Sequence, residues 1–282
     1  MKGEPGYHVS MTVTAHDNVA KLHIDRIRLA KQKMLEKNDA WMREHDPGSL
    51  YTSYIHRWRI ERIAELMKPI SGKVLDIGCF DGTVASKLIA HGNKQVYGID
   101  RMTSALELAA AKGVKTFELD IDEQNTDFED GFFDGALATG VLDALFDPDG
   151  VIEEVHRVLK PGGTLIVSVP NIACLSNRTL MVFGSPPWQV LSSARIGLGT
   201  LRHFNMNSLL DLVRSKGFTI TRHESNAVVF PFVRFGFRRF PILRDVFGNP
   251  GTWDKKRIFF CRSLAKLFPT LGERLLVAAV KK

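Results

Sequence analysis

The residues with the best claim to chemistry stand at the ends of short apolar runs. Val74-Leu75-Asp76-Ile77 is one such run. It breaks at Gly78-Cys79-Phe80-Asp81-Gly82, and apolar residues then resume at helical spacing through Val84, Leu88 and Ile89. This reads as a strand, a tight glycine-bearing turn and a helix. Glycine lets a ligand approach bare backbone, and a helix start leaves N–H groups without intrahelical partners. A second run, Gln95–Ile99, ends in Asp100. A carboxylate there can accept hydrogen bonds from both hydroxyls of a ribose, although an aspartate in that place can also cap a helix beginning at Thr103. A third run, Lys115–Leu119, ends in Asp120-Ile121-Asp122, and a fourth, Asp134–Ala138, ends in Thr139-Gly140 with Asp143 close behind. A nicotinamide dinucleotide is a poor fit. Its site needs G-x-G-x-x-G to bring backbone to a pyrophosphate, and Gly78-x-x-x-Gly82 does not supply that spacing.

The elements that position these residues alternate. Helices are expected over 82–91, 103–111, 148–159 and 206–216, the last with Asn205 or Asn207 as its cap. Lys160-Pro161-Gly162-Gly163 is expected to turn sharply into a fifth strand, Thr164–Val169. Strands six and seven are expected at Phe218–His223 and Leu275–Val280. Such alternation gives an α/β fold, a doubly wound and mostly parallel sheet with helices on both faces, in which ligands sit beyond the carboxyl ends of the strands. Residues 1–70 precede the sheet as a helical cover, with helices expected from Asp17 to about Glu44 and from Leu50 to Met67. Residues 71–282 form the main domain. Within it 171–204 and 225–273 interrupt the alternation as insertions that cap the substrate side.

Four blocks in order resemble class I S-adenosylmethionine (SAM)-dependent methyltransferases, in particular the small-molecule, ubiquinone-biosynthesis-like type. Asp76-x-Gly78-Cys79-Phe80-Asp81-Gly82 is similar to that family's first motif, with Phe80 where the middle glycine usually stands. Gly98-Ile99-Asp100, Thr139–Pro148 and Glu154–Gly163 match the later blocks. The resemblance implies a seven-stranded sheet in the order 3-2-1-4-5-7-6 with strand seven antiparallel. It also implies SAM as methyl donor, leaving S-adenosylhomocysteine, with no metal. The cofactor residues carried over are Asp76, Gly78, Cys79, Phe80, Gly82, Asp100, Arg101, Met102, Asp120, Ile121, Thr139 and Gly140. Asp143-Ala144 replaces the family's Glu-His pair, so no histidine base is available there. Leu201-Arg202-His203-Phe204 resembles the family's entry to its last helix. That makes His203 the first candidate general base and Asp143 the second. Ser185-Pro186-Pro187-Trp188 lies away from the post-strand-four place of a base-gripping motif and reads as a turn.

The net charge of +7 is uneven: +3 over residues 1–70, −9 over 71–170 and +13 over 171–282. A basic C-terminal third calls for an anionic partner. Phe230–Arg244 interleaves aromatics with arginines and suits a peripheral membrane contact, a nucleobase stack or a simple pocket cap. The three cysteines are far apart and suit reduced thiols in a cytoplasmic protein, and the N-terminus has no secretory pattern. The expected reaction is methyl transfer to a hydroxyl oxygen of a small or lipid- or glycan-linked acceptor, with nitrogen and carbon left open. RNA methylation through the basic third, or SAM binding without catalysis, are the alternatives.

Overall fold

In a computed structural model, strands β1 (Gly72–Ile77), β2 (Lys94–Asp100), β3 (Lys115–Glu118), β4 (Phe133–Thr139), β5 (Leu159–Pro170), β6 (Phe218–Ser225) and β7 (Arg274–Lys281) form one sheet in the order β3-β2-β1-β4-β5-β7-β6. Neighbours among the first five pair parallel, and β7 runs antiparallel between β5 and β6. The helices are α1 (Tyr54–Met67), α2 (Thr83–Ala90), α3 (Thr103–Ala111), α4 (Pro148–Val158), α5 (Leu175–Val182), α6 (Met206–Ser215) and α7 (Lys255–Leu267). The structure describes residues 54–92, 94–190, 200–230 and 255–282. It also describes helical backbone at Leu29, Gln32, Lys33, Leu35, Glu36, Asp39, Ala40 and Glu44. Most of the helix expected over 17–44 lies outside the described residues, as does Phe230–Arg244 apart from Phe230. Among the described residues no helix is long and apolar enough to cross a membrane.

The two-residue period of the strands divides the core into two layers. Leu75, Ile77, Ala136, Ala138, Leu165 and Val167 face α4 and α6. Val74, Val96, Leu137, Ile166 and Leu276 face α1, α2 and α3. α1 contributes Ile60, Ile63, Ala64 and Met67 to the second layer. Each large apolar side chain so buried stabilises by about 1.5–3 kcal/mol. Gly135 makes room for this helix, because a Cβ there would stand 2.7 Å from Met67 Cε.

Two expectations change. The Lys160–Gly163 segment does not turn into a strand at Thr164, because the strand already starts at Leu159. Phe133 pairs with Leu159 and Gly135 with Thr164, so the segment between bulges out of one continuous strand. Gly162, at φ 76°, supplies the backbone conformation this needs. The insertion after β5 also contains a helix, α5, that the sequence pattern did not indicate. Ser185-Pro186-Pro187 forms an irregular link after it, and helical backbone resumes at Trp188. Elsewhere Asn205 caps α6, accepting from Ser208 N–H while the Ser208 hydroxyl accepts from Asn205 N–H. His156 packs edge-on against Phe218, with ring centroids 5.1 Å apart.

Candidate active site

The glycine turn is pinned to the end of β2. Gly78 N–H and Cys79 N–H both donate to the Ile99 carbonyl, at 2.8 and 3.1 Å. Gly78 has φ 67°, and a Cβ there would lie 2.9 Å from Val141. Phe80, with φ 49°, is the one non-glycine residue in left-handed backbone among the described residues. That conformation costs about 1–2 kcal/mol for a side-chain-bearing residue. Two contacts offset it. Phe80 N–H donates to Asp100 Oδ2 at 2.9 Å, and the ring packs with Met102, Ala105 and Leu35. Asp100 Oδ1 accepts from Met102 N–H at 3.0 Å. One carboxylate therefore fixes the turns after β1 and β2 together. Each oxygen keeps capacity for a further donor. Burial pushes the Asp100 carboxyl above its ordinary range, while the N–H bonds from Phe80 and Met102 oppose the shift.

Asp100 opens on a cleft lined also by Gly78, Arg101, Asp120, Ile121 and Val141. Arg101 pairs with Asp120 at 3.7 Å. Asp122 accepts from Phe146 N–H and Asp147 N–H, tying the loop after β3 to the loop after β4. Leu35 and Gln32 line an adjoining hollow with Arg101 and Asp120, and Asp39 binds Ser104 at the start of α3. Cys79 contributes backbone alone, because its thiol is buried under Gly98, where a Cβ would stand 2.6 Å from Sγ. Gly82 is equally committed to packing, since a Cβ there would meet Ala109 Cα at 2.8 Å.

Next to this cleft a row of polar residues ends the apolar layer under α1. Asp76, Thr139, Ser168 and Arg274 follow Val74, Leu137, Ile166 and Leu276 at the two-residue spacing of their strands, or precede in the case of antiparallel β7. Asp76 is 1% exposed and neither carboxylate oxygen has a hydrogen-bond partner. Burial, then the negative charge of Asp100, push its carboxyl up to about 7, against the pull of Arg59. The Ser168 hydroxyl is buried without a partner. Arg59, buried on α1, and Arg274 bring their Nη1 atoms to 3.2 and 3.6 Å from where a Gly140 Cβ would stand. Gly140 itself has φ 80°, and its N–H donates to Ser168 O at 2.7 Å.

Asp143 lies in a short 3-10 turn (Leu142–Ala144) after β4. Its Oδ1 is enclosed and has no partner. Burial raises its carboxyl, opposed chiefly by the charges of Arg274 and Arg59. Its carbonyl accepts from Leu201 N–H and Arg202 N–H, at 2.7 and 3.0 Å, which lays residues 201–204 over the turn. His203 is thereby close enough for its charge to act on Asp143, yet it is exposed and lines an open groove with Asp147 and Ser208.

Residues 75–167 match the model of a methyltransferase domain. A ubiquinone biosynthesis O-methyltransferase of Chromobacterium violaceum is 29% identical over 161 residues, covering 55% of this chain and 65% of the relative. Methyltransferase-like protein 27 of Homo sapiens is 34% identical over 113 residues, covering 39% of this chain and 42% of the relative. The chain thus spans less than two thirds of these curated relatives. A Thermotoga maritima structure described as a SAM-dependent methyltransferase, possible histamine N-methyltransferase, superposes with a TM-score of 0.60 at 18% identity, over 86% of this chain and 98% of that one. The likeness in fold joins the sequence match over the site. Residues 75–167 carry a methyltransferase domain, and the sheet around them has the fold of SAM-dependent methyltransferases.

The methyltransferase site fits SAM by three tests. Asp100 offers a doubly anchored carboxylate for a ribose. Gly78 and Gly140 hold positive-φ backbone whose bare Cα faces Val141 and Arg59. Asp76 leaves a buried carboxylate unsatisfied, suited to a cationic group, with the Arg59 guanidinium nearby for a carboxylate. Arg101, Asp120 and Ile121 line the cleft beside Asp100, whereas Met102 is buried against Ala105 and Phe80 and does not line it; Thr139 and Gly140 end β4. Among the described residues no cluster of His, Cys, Asp and Glu is spaced to hold a metal ion. Arg59, Ser168 and Arg274 were missed by motif matching. For Ser168 the signal was present in the strand alternation, which puts it on the same face as Ile166.

Proposed function

We propose that this methyltransferase moves the methyl group of SAM to a hydroxyl oxygen of a small or lipid-linked acceptor that carries negative charge. The observation that carries this reading is Asp143, an enclosed carboxylate with a free Oδ1 and a raised pKa, beside Gly140 and two guanidinium groups. Bound SAM supplies an electrophilic methyl on a sulfonium. Asp100 would hold its ribose, and Asp76 and Arg59 its ammonium and carboxylate. Asp143 Oδ1 would take the proton of the acceptor hydroxyl, and a base whose pKa is lifted toward working pH is the better catalyst. Arg274 would attract the acceptor's anionic group. Holding the two reactants close and aligned supplies much of the remaining acceleration. Enclosure and an unfilled acceptor atom favour Asp143 over exposed His203. The naming of the Chromobacterium relative as an O-methyltransferase supports oxygen as the acceptor atom.

The test is an incubation of the protein with methyl-labelled SAM and separate polar and lipid extracts, read by mass spectrometry. Label is expected on an anionic hydroxyl compound, and Asp143→Asn should remove it. Label on nitrogen or carbon, or undiminished labelling by the variant, refutes the reading.

A further inference from the structure

Helix α7 is built inside out. A helix lying on a protein normally buries its large apolar residues and exposes its polar ones. On α7 the small residues Cys261 and Ala265 are buried. Phe259 is 75% exposed, Leu267 is 72% exposed, and Phe260 and the following Phe268 are more than half exposed. At about 100° per residue, Phe259, Phe260, Ser263 and Leu267 share one outward stripe. Exposed Lys256 and Lys266 stand at its two ends. The inward face is already satisfied: Cys261 packs with Ala227 and Val229, joined by Ile258 and Phe230, and its carbonyl accepts from Val228 N–H at 3.2 Å. The stripe is therefore not a core face that failed to find its partner.

A second exposed apolar edge belongs to the same region. The Ser176 hydroxyl of α5 donates to the Val229 carbonyl at 2.7 Å, so the 227–230 segment is held by both helices. α5 ends in Met181 and Val182 and is followed by Phe183, with Val182 81% and Phe183 79% exposed.

We propose that the outward stripe of α7, with the end of α5, docks on the headgroup layer of an anionic phospholipid bilayer. Phenylalanine and leucine on one face with lysines at its margins is the pattern of a helix lying in a membrane interface. Residues 171–282, which carry both patches, have a net charge of +13, and each basic side chain near an anionic surface adds about 1 kcal/mol. The same charge disfavours a second copy as occupant, because a symmetric pair would set the basic third against itself. α7 also borders α1, with the Arg262 guanidinium 6.0 Å from the Trp58 ring centroid.

The test is co-sedimentation of the full-length chain with large vesicles of phosphatidylcholine alone or mixed with phosphatidylglycerol. Binding to the mixed vesicles is expected, weakened by salt. F259E/F260E should lower the partition at least about tenfold, and K256E/K266E should lower it and flatten the salt dependence. Both should keep SAM affinity within about twofold of the parent. F259S/F260S replaces the glutamate pair if melting shows that pair misfolded. A parent chain that stays in the supernatant at low salt, or a glutamate or serine pair that sediments like the parent, overturns the proposal. So does a parent dimer, seen by light scattering, that the substitutions turn into a monomer.

Discussion

Removing the Asp100 carboxylate perturbs two things at once, and the structure separates them. Its Oδ2 accepts from Phe80 N–H at 2.9 Å and its Oδ1 from Met102 N–H at 3.0 Å. Asp100→Ala leaves both N–H groups without that acceptor and removes the compensation for the left-handed backbone of Phe80. An unmade bond to a buried donor costs about 1–3 kcal/mol, so the free protein should lose on the order of 2–4 kcal/mol, read as a lowered thermal midpoint. The ligand loses separately. Two ribose hydroxyls bound to a carboxylate contribute about 1.5–3 kcal/mol each. Even a single such bond lost weakens SAM binding more than about tenfold. Asp100→Asn divides the effects: its carbonyl can keep one N–H bond while its NH2 faces the other, so it should fold better than the alanine variant yet still bind SAM at least about tenfold more weakly. Calorimetric titration with SAM, run beside a melting curve, reads both. An unchanged dissociation constant in either folded variant refutes the assignment of Asp100 to the ribose.

Other outcomes follow from the same geometry. The Asp76 carboxyl, raised to about 7 in the free protein, should lose its proton when a cationic ligand arrives. SAM affinity should therefore hold steady above about pH 7 and fall by up to about tenfold per unit below it, and Asp76→Asn should abolish the slope. The same shift makes the free protein less stable as pH rises from about 4 to 7, since a folded pKa above the unfolded one favours folding only while the group is protonated. Asp143→Asn should cut turnover about 100-fold or more while leaving SAM affinity within about threefold, whereas His203→Ala should change turnover by less than about threefold, measured with labelled SAM. Gly78→Ala meets both an unfavourable φ and Val141 at 2.9 Å, so it should destabilise by about 2 kcal/mol or more and lower the thermal midpoint by roughly 5 °C.

The central strands were legible because they are buried in a sheet whose faces alternate, so runs such as Val74–Ile77 and Gln95–Ile99 announced themselves. Their order came from the resemblance of four blocks, and the sheet has that order. Asp100 was legible because a residue at the carboxyl end of a buried strand has a defined neighbourhood, here the glycine turn. Pro161-Gly162-Gly163 was misread because proline and glycine signal a departure from regular backbone without saying whether the chain turns or bulges. The direction of the Cys79 thiol depends on the missing side chain of Gly98, a contact between strands that no local pattern reveals. Arg59 and Arg274 were invisible for a related reason. They meet at Gly140 only after α1 packs on the sheet and β7, far away in sequence, pairs with β5 beside β4, and a helix arginine read alone suggests solvent. Helix α5 carries no apolar stripe to announce it, since Met181 and Val182 are exposed while Ser176 and Asn177 are buried.

The most direct measurement is a crystal structure of the protein with S-adenosylhomocysteine. The ribose hydroxyls should lie within hydrogen-bond distance of the Asp100 carboxylate, with the amino-acid end at Asp76 and Arg59 and the sulfur toward Gly140 and Asp143. A nucleoside bound away from Asp100, or an amino-acid end that leaves Asp76 and Arg59 untouched, would contradict the account.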